Sequence, residues 1–212
     1  MPFVTFEGIE GSGKTSQMRR VAEVLRAAGR QVVTTKEPGG TPLADRIRAI
    51  LLDTQSVIDP VAELFLFAAS RRQHVTEVIR PALDRGEVVL CDRFTDSTLA
   101  YQGFGRMLPL GQLRMLNDWA TGNLHPATVV IFDIDEETSV SRARRRNQNA
   151  SSDEGRFEAE DLRFHRRTRE GYLTLALAEP DRYLVIDATG TTEDVFVRLL
   201  AALRSRAPEL FS

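Results

Sequence analysis

The sequence predicts an α/β fold with a doubly wound parallel sheet, and three observations carry that prediction. Short β-branched runs alternate with longer helical stretches through all 212 residues. Three of the runs are apolar almost throughout, the pattern of parallel strands buried on both faces. A glycine-rich turn joins the first run to the first helical stretch, as in folds that bind phosphate at the head of a sheet.

The elements follow in order. Phe3–Glu7 reads as the first strand and 14–28 as the helix after the glycine turn, followed by a strand at 31–35 and a helix at 43–53. Asp59-Pro60 supplies an N-cap and a first-turn proline for a helix over 60–84, with Phe65 in the core. Val88–Asp92 is a third strand, 110–121 a helix, Thr128–Asp133 a fourth strand and 136–146 a helix. The stretch 147–155 is polar, with one alanine and no larger apolar residue, and reads as a mobile surface loop. A helix at 157–178, a strand at Tyr183–Asp187 and a helix at 191–206 with an acidic start complete one domain spanning 1–212.

Composition narrows the class. Hydrophobic residues are 42% and charged residues 27%, enough apolar content to bury a core. No apolar run approaches the roughly 18 residues that span a bilayer. The N-terminus lacks a basic segment and a small-residue cleavage site. Cys91 is the only cysteine, so neither an internal disulfide nor a zinc cluster is available, and a reducing, cytoplasmic setting is expected. A net charge of -2 argues against a general nucleic-acid binder. Of 28 basic residues only Lys14 and Lys36 are lysine, a bias whose plain reading is codon usage. Residues 142–169 hold nine arginines against five acids, which reads either as a solvated helix pair or as a basic lid over a polyanion.

Gly8-Ile9-Glu10-Gly11-Ser12-Gly13-Lys14-Thr15 matches G-x-x-x-x-G-K-[ST] at every fixed position, between a strand and a helix. Its backbone amides are expected to cradle the ATP phosphates, with Lys14 at the β/γ-phosphates and the Thr15 hydroxyl on Mg²⁺. Asp92, at the end of the third strand, is the second candidate for the metal. The guanine-reading N-K-x-D is impossible because neither lysine follows an asparagine. His74, His125 and His165 lie far apart and read as surface or capping residues. A P-loop beside a basic lid points to a phosphotransferase with a small acceptor.

The motifs Phe6-Glu7-Gly8-Ile9-Glu10-Gly11-Ser12-Gly13-Lys14-Thr15, Lys36-Glu37-Pro38-Gly39-Gly40-Thr41, Leu66-Phe67-Ala68-Ala69-Ser70-Arg71 and Asp92-Arg93-Phe94, with Ser97 and Tyr101-Gln102-Gly103 beyond, resemble those of the bacterial thymidylate kinases. The resemblance covers nearly the whole chain. It implies a P-loop NTPase fold with a five-stranded parallel sheet, a homodimer, Mg²⁺, and ATP-dependent phosphorylation of dTMP in the making of dTTP. It places Phe67 on the thymine ring, Arg71 on the base edge, Pro38 by the methyl group and Arg93 on the acceptor phosphate. Glu37, Ser97, Thr98, Tyr101 and Gln102 would also face the acceptor. Thr41, Arg142 and Ala188 would lie on the ATP side. The i, i+4 spacing of Phe67 and Arg71 puts a ring and a donor fork on one helix face, although Phe67 as plain core is the alternative.

The departures bear on catalysis. Lys36 stands where the family usually has arginine, so a bidentate phosphate contact becomes a point charge. The P-loop has no base at Ile9, Glu10 or Ser12, so Glu10 is expected at the acceptor sugar or the metal's water shell. The cation for the transferring phosphoryl is then expected from the lid at about 142–157, from Arg146 or Arg156. A kinase for another small acceptor and a non-catalytic nucleotide-binding module are the competing readings.

Overall fold

The computed structural model describes residues 2–148 and 155–212, the side chains of 144–148 excepted. Its sheet is five-stranded and all-parallel, in the order β2-β3-β1-β4-β5. The strands are β1 (Phe3–Glu7), β2 (Val32–Lys36), β3 (Val88–Asp92), β4 (Thr128–Asp133) and β5 (Tyr183–Asp187). Every residue of β1 and β3 is buried, as is β4 up to Phe132, because helices cover both faces. β2 and β5, at the edges, are more open, and β2 begins and ends one residue later than its sequence pattern suggests.

The helices are α1 (Lys14–Ala27), α2 (Pro42–Leu52), α3 (Pro60–His74), α4 (Arg80–Asp84), α5 (Thr95–Thr98), α6 (Leu110–Thr121), α7 (Glu136–Gln148), α8 (Leu162–Ala178) and α9 (Thr192–Arg206). The single helix expected over 60–84 is two, joined by a π turn at Val75–Ile79. Pro81 explains the break, since proline supplies no amide and crowds the carbonyl four residues earlier. α8 begins at Leu162 rather than 157 because the Asp161 carboxylate accepts from the Phe164 amide and caps it there.

One helical segment has no counterpart in the sequence reading. α5 runs into a π-helical stretch, Leu99–Gly105, buried at six of its seven residues. With no solvent face it has no hydrophobic periodicity to detect. Glycine is required in this layer. A Cβ at Gly105 would lie 2.6 Å from Phe164, and one at Gly171 on α8 would lie 2.6 Å from Phe104.

The core forms two main layers. Val21, Leu25, Leu90, Val130, Phe132 and Leu199 pack under α1 and α9. Leu99, Leu113, Val129, Phe164, Tyr172 and Leu175 pack under α6 and α8. Phe65, expected in the core, is 59% exposed; it lies on the outer face of α3 with Val61. Among the described residues no helix is long and apolar enough to cross a membrane.

Gly171→Ala should test the close layer. Helix propensity favours alanine by about 1 kcal/mol, but overpacking against Phe104 costs about 1–3 kcal/mol. A net fall in the thermal midpoint is expected. Gly111→Ala on α6, where nothing lies within 4 Å of the added Cβ, should instead raise it.

Candidate active site

The P-loop sits at the carboxyl end of β1, at the centre of the sheet, where open α/β sheets bind ligands. Gly8, Gly11 and Gly13 adopt φ of 140°, 79° and 87°, values that side-chain-bearing residues rarely take. At Gly8 a Cβ would also lie 2.7 Å from the Phe132 carbonyl. Gly13 is the N-cap of α1 and offers no side chain, so the first-turn amides are left for an anion. Ser12 Oγ is buried without a partner among the described residues, which suits a phosphate oxygen.

Lys14 is buried, and its ammonium is lowered to about 8, first by burial and then by Arg93, against the pull of Asp92, Glu10 and Glu7. The Thr15 hydroxyl donates to Asp92 Oδ2, so the two candidate metal oxygens are adjacent. No group of three or more metal-binding His, Cys, Asp or Glu occurs among the described residues. A hydroxyl beside one carboxylate fits Mg²⁺, which takes few protein oxygens and completes its octahedron with water and phosphate.

A cavity of about 520 Å³ opens beside the P-loop, within the range of nucleotide pockets. Glu10, Gly11, Gly13, Lys14 and Thr15 form one wall. Asp92, Arg93, Ser97, Thr98, Tyr101 and Gln102 come from the end of β3 and the segment after it. Glu37 and Pro38 enter from the loop after β2, and Phe67 and Arg71 from α3.

Arg71 is 2% exposed and nearly saturated. Its Nε donates to Glu37 Oε2 at 2.7 Å, Nη1 to Thr98 Oγ1 at 2.9 Å and Asn117 Oδ1 at 2.7 Å, and Nη2 to the Phe94 carbonyl at 3.0 Å. A guanidinium has five N–H donors, so one N–H on Nη2 remains among the described contacts. Burial tends to raise the Glu37 carboxyl, but Arg71 and the His74 ring hold it below its ordinary value.

Arg93 takes φ 71°, a left-handed conformation that costs a bulky residue about 1–3 kcal/mol. Its Nη2 donates to Glu10 Oε1 at 2.7 Å and to Tyr101 Oη at 3.1 Å. Its Nη1 reaches Ser97 Oγ at 3.1 Å and Tyr172 Oη at 3.3 Å. Burial tends to raise Glu10, yet Arg93, Lys14 and the Tyr101 hydroxyl leave it lowered. Beneath them Glu7 is fully buried; burial first, then the Asp96 charge, lift its carboxyl to about 7.

A second cavity, lined by Gly11, Ser12, Gly13, Arg142 and Ala188, lies on the far side of the P-loop. Other expected residues fall outside both cavities. Gly8 and Ile9 line neither, and Ile9 is core. Thr41 is the N-cap of α2, its hydroxyl accepting from the Ala44 amide at 3.2 Å, and it lines neither cavity. Arg156 pairs with Glu63 at 2.7 Å and donates to the Leu51 carbonyl at 2.6 Å, away from the P-loop wall. The Arg146 side chain lies outside the described residues.

His74 and His165, expected at the surface or as caps, are buried. His74 bridges Glu37 and Thr35, whereas neither ring nitrogen of His165 has a partner among the described residues. Only His125, beside Asp118, is exposed. Sequence reasoning did not place Arg19, Arg48, Phe157 or Glu158 in the acceptor cavity. The nine-arginine stretch gave no signal for Arg19 or Arg48, which lie far from it on α1 and α2. Asn117 and Tyr172 were also missed, since each acts through a residue remote in the chain.

The Lys14 ammonium has a pH signature. It is charged below about 8 and neutral above, so phosphate binding should weaken as pH rises through that value. At about pH 9, ATP binding should draw in a proton to recharge Lys14, whereas at about pH 7 it should not. Calorimetric titration in buffers of different ionisation enthalpy reads this directly, and Lys14→Ala should abolish the uptake with most of the affinity.

The chain resembles known proteins along nearly its full length. The family model for thymidylate kinase matches residues 6–198. The thymidylate kinase of Citrifermentans bemidjiense is 54% identical over 210 residues, 98% of this chain and 93% of that protein. That of Deinococcus radiodurans is 50% identical over 204 residues, 96% and 97% of the two chains. The crystal structure of thymidylate kinase from Ehrlichia chaffeensis superimposes with a TM-score of 0.78 at 34% identity, covering 95% of this chain and 97% of that one. With the P-loop, the strand order and these likenesses in agreement, the chain belongs to the thymidylate kinase family.

Proposed function

We propose that the protein moves the γ-phosphoryl group of ATP to the 5′-phosphate of dTMP, yielding dTDP and ADP. The observation that carries this reading is the hydrogen-bond pattern around Arg71. Its one remaining donor belongs to a guanidinium lining the acceptor cavity, beside Thr98 Oγ1, which already accepts from Nη1 and keeps a second lone pair. Donor next to acceptor matches the 4-carbonyl and N3–H of thymine. Cytosine presents the opposite pair. Phe67 supplies a ring face in the same cavity and Pro38 an apolar contact for the methyl group.

The chemistry follows from the two ends of that cavity. An oxygen of the acceptor phosphate attacks the γ-phosphorus as the bond to the ADP oxygen breaks. Arg93 holds the acceptor phosphate, exchanging its Glu10 contact for it. Lys14 and the P-loop amides hold the donor, and Arg142 with Ala188 borders the adenine side. Mg²⁺ bound at Thr15 and Asp92 would neutralise charge on the donor phosphates. Glu10 is an anion and cannot stabilise growing negative charge on the γ-phosphoryl. The residues 142–157 act as a lid, and with Arg156 engaged at Glu63 we assign the transition-state cation to Arg146. The cytoplasm is the compartment proposed.

A homodimer is part of the same reading. Leu43 and Ile50 of α2, Val61 and Phe65 of α3, and Met115 and Trp119 of α6 are large exposed apolar residues on three adjacent helices. A second copy of this chain covers that face. Sedimentation should give a dimer, and a Phe65→Asp, Trp119→Asp double variant should give a monomer.

A panel of nucleoside monophosphates tests the acceptor. dTMP should exceed dCMP, AMP and GMP in kcat/KM by roughly 10²-fold or more, because a mismatched base leaves buried polar groups unpaired. AMP or GMP as the best acceptor would overturn the assignment.

A further inference from the structure

We infer that Glu7, which does not line the cavity, is the positioning residue that sets Arg93 for the acceptor phosphate. The inference rests on the reading of Arg93 given above. Three donors converge on the Glu7 carboxylate. The Phe94 amide reaches Oε1 at 2.7 Å, and the Ser97 and Tyr172 hydroxyls reach Oε2 at 2.6 and 2.9 Å. All three belong to groups that fix Arg93. The Phe94 amide follows the left-handed Arg93, so tethering it holds the turn that aims the side chain into the cavity. Ser97 and Tyr172 are the two hydroxyls that Arg93 Nη1 contacts.

Hydrogen-bond polarity makes the arrangement specific to a carboxylate. A hydroxyl has one hydrogen and two lone pairs. When both hydroxyls give their hydrogens to Glu7, both present lone pairs to Arg93, which can only donate. A carboxamide in place of Glu7 can accept from the Phe94 amide with its oxygen, but then turns an NH₂ toward Ser97 and Tyr172. The two hydroxyl oxygens lie 2.8 Å apart, so one can pass its hydrogen to the other, but the second hydrogen then has no acceptor and swings toward a guanidinium that cannot take it. Arg93 would lose one of its two Nη1 contacts while Glu10 and Tyr101 still held Nη2. Among the described residues neither hydroxyl contacts Lys14, Thr15 or Asp92.

Steady-state kinetics on the full chain separates the possibilities. Glu7→Gln should raise the KM for dTMP by roughly 10- to 100-fold, the value of a hydrogen bond to a charged group, and by more than it raises the KM for ATP, which feels the lost Glu7 charge through Lys14. The double variant Ser97→Ala, Tyr172→Phe keeps Glu7 but removes both hydroxyls, and should reproduce the same selective rise even where Glu7→Gln does not fold. Combining Glu7→Gln with Ser97→Ala should cost less than the sum of the two. An unchanged dTMP KM in either variant overturns the inference, as does a matching rise in the ATP KM. A wild-type protein that fails to phosphorylate dTMP overturns instead the reading on which it rests.

Discussion

The buried ion pair between Arg71 and Glu37 is the interaction on which the acceptor half of the molecule depends. Both side chains are 2% exposed, and neither charge belongs in such a place without the other. The pair joins α3 to the loop after β2. Through the Phe94 carbonyl, Thr98 and Asn117 the same guanidinium also holds the turn after β3, α5 and α6. His74, one turn further along α3, closes the other side of Glu37. Leaving either charge unpaired would cost about 3–5 kcal/mol. The guanidinium that lines the acceptor cavity is therefore already immobilised by folding, and little ordering of it remains when a ligand arrives.

The phosphate half follows a different logic. Lys14 and Arg93 are cations placed near one another, and Arg93 helps to depress the Lys14 ammonium. Glu10 offsets both for as long as no phosphate is bound. A phosphate chain between them would convert mutual repulsion into shared attraction, so the charges suit a polyanion. Glu7 lies one layer deeper and accepts from the Phe94 amide and the Ser97 and Tyr172 hydroxyls.

Most of the fold was legible because its signals are local. The strands, the P-loop, the caps at Asp59 and the acidic start of α9 are written in periodicity and turn chemistry. The segment 95–105 was not, because a helix buried all round loses its periodicity and its glycines answer to Phe164 and Leu110 instead. The resemblance supplied Phe67, Arg71 and Arg93 by position, and the structure brings them to one cavity with Glu10, Ser97 and Thr98. It could not supply Glu7, Asn117 and Tyr172, which touch the cavity-lining residues across 46 to 90 positions of chain. Histidines were misread for a related reason. Nothing adjacent to His74 announces that Glu37 and Thr35 will meet it.

The donor–acceptor pairing at the base edge is tested most directly by a ligand changed at that edge alone. The 4-deoxy analogue of dTMP keeps the methyl group, sugar and phosphate but lacks both the 4-carbonyl and the N3 hydrogen. Calorimetric titration of the two ligands should show the analogue binding roughly 10- to 100-fold more weakly, as expected for loss of a charge-assisted hydrogen bond with its donor left buried. Equal affinities would mean that Arg71 and Thr98 do not read the base.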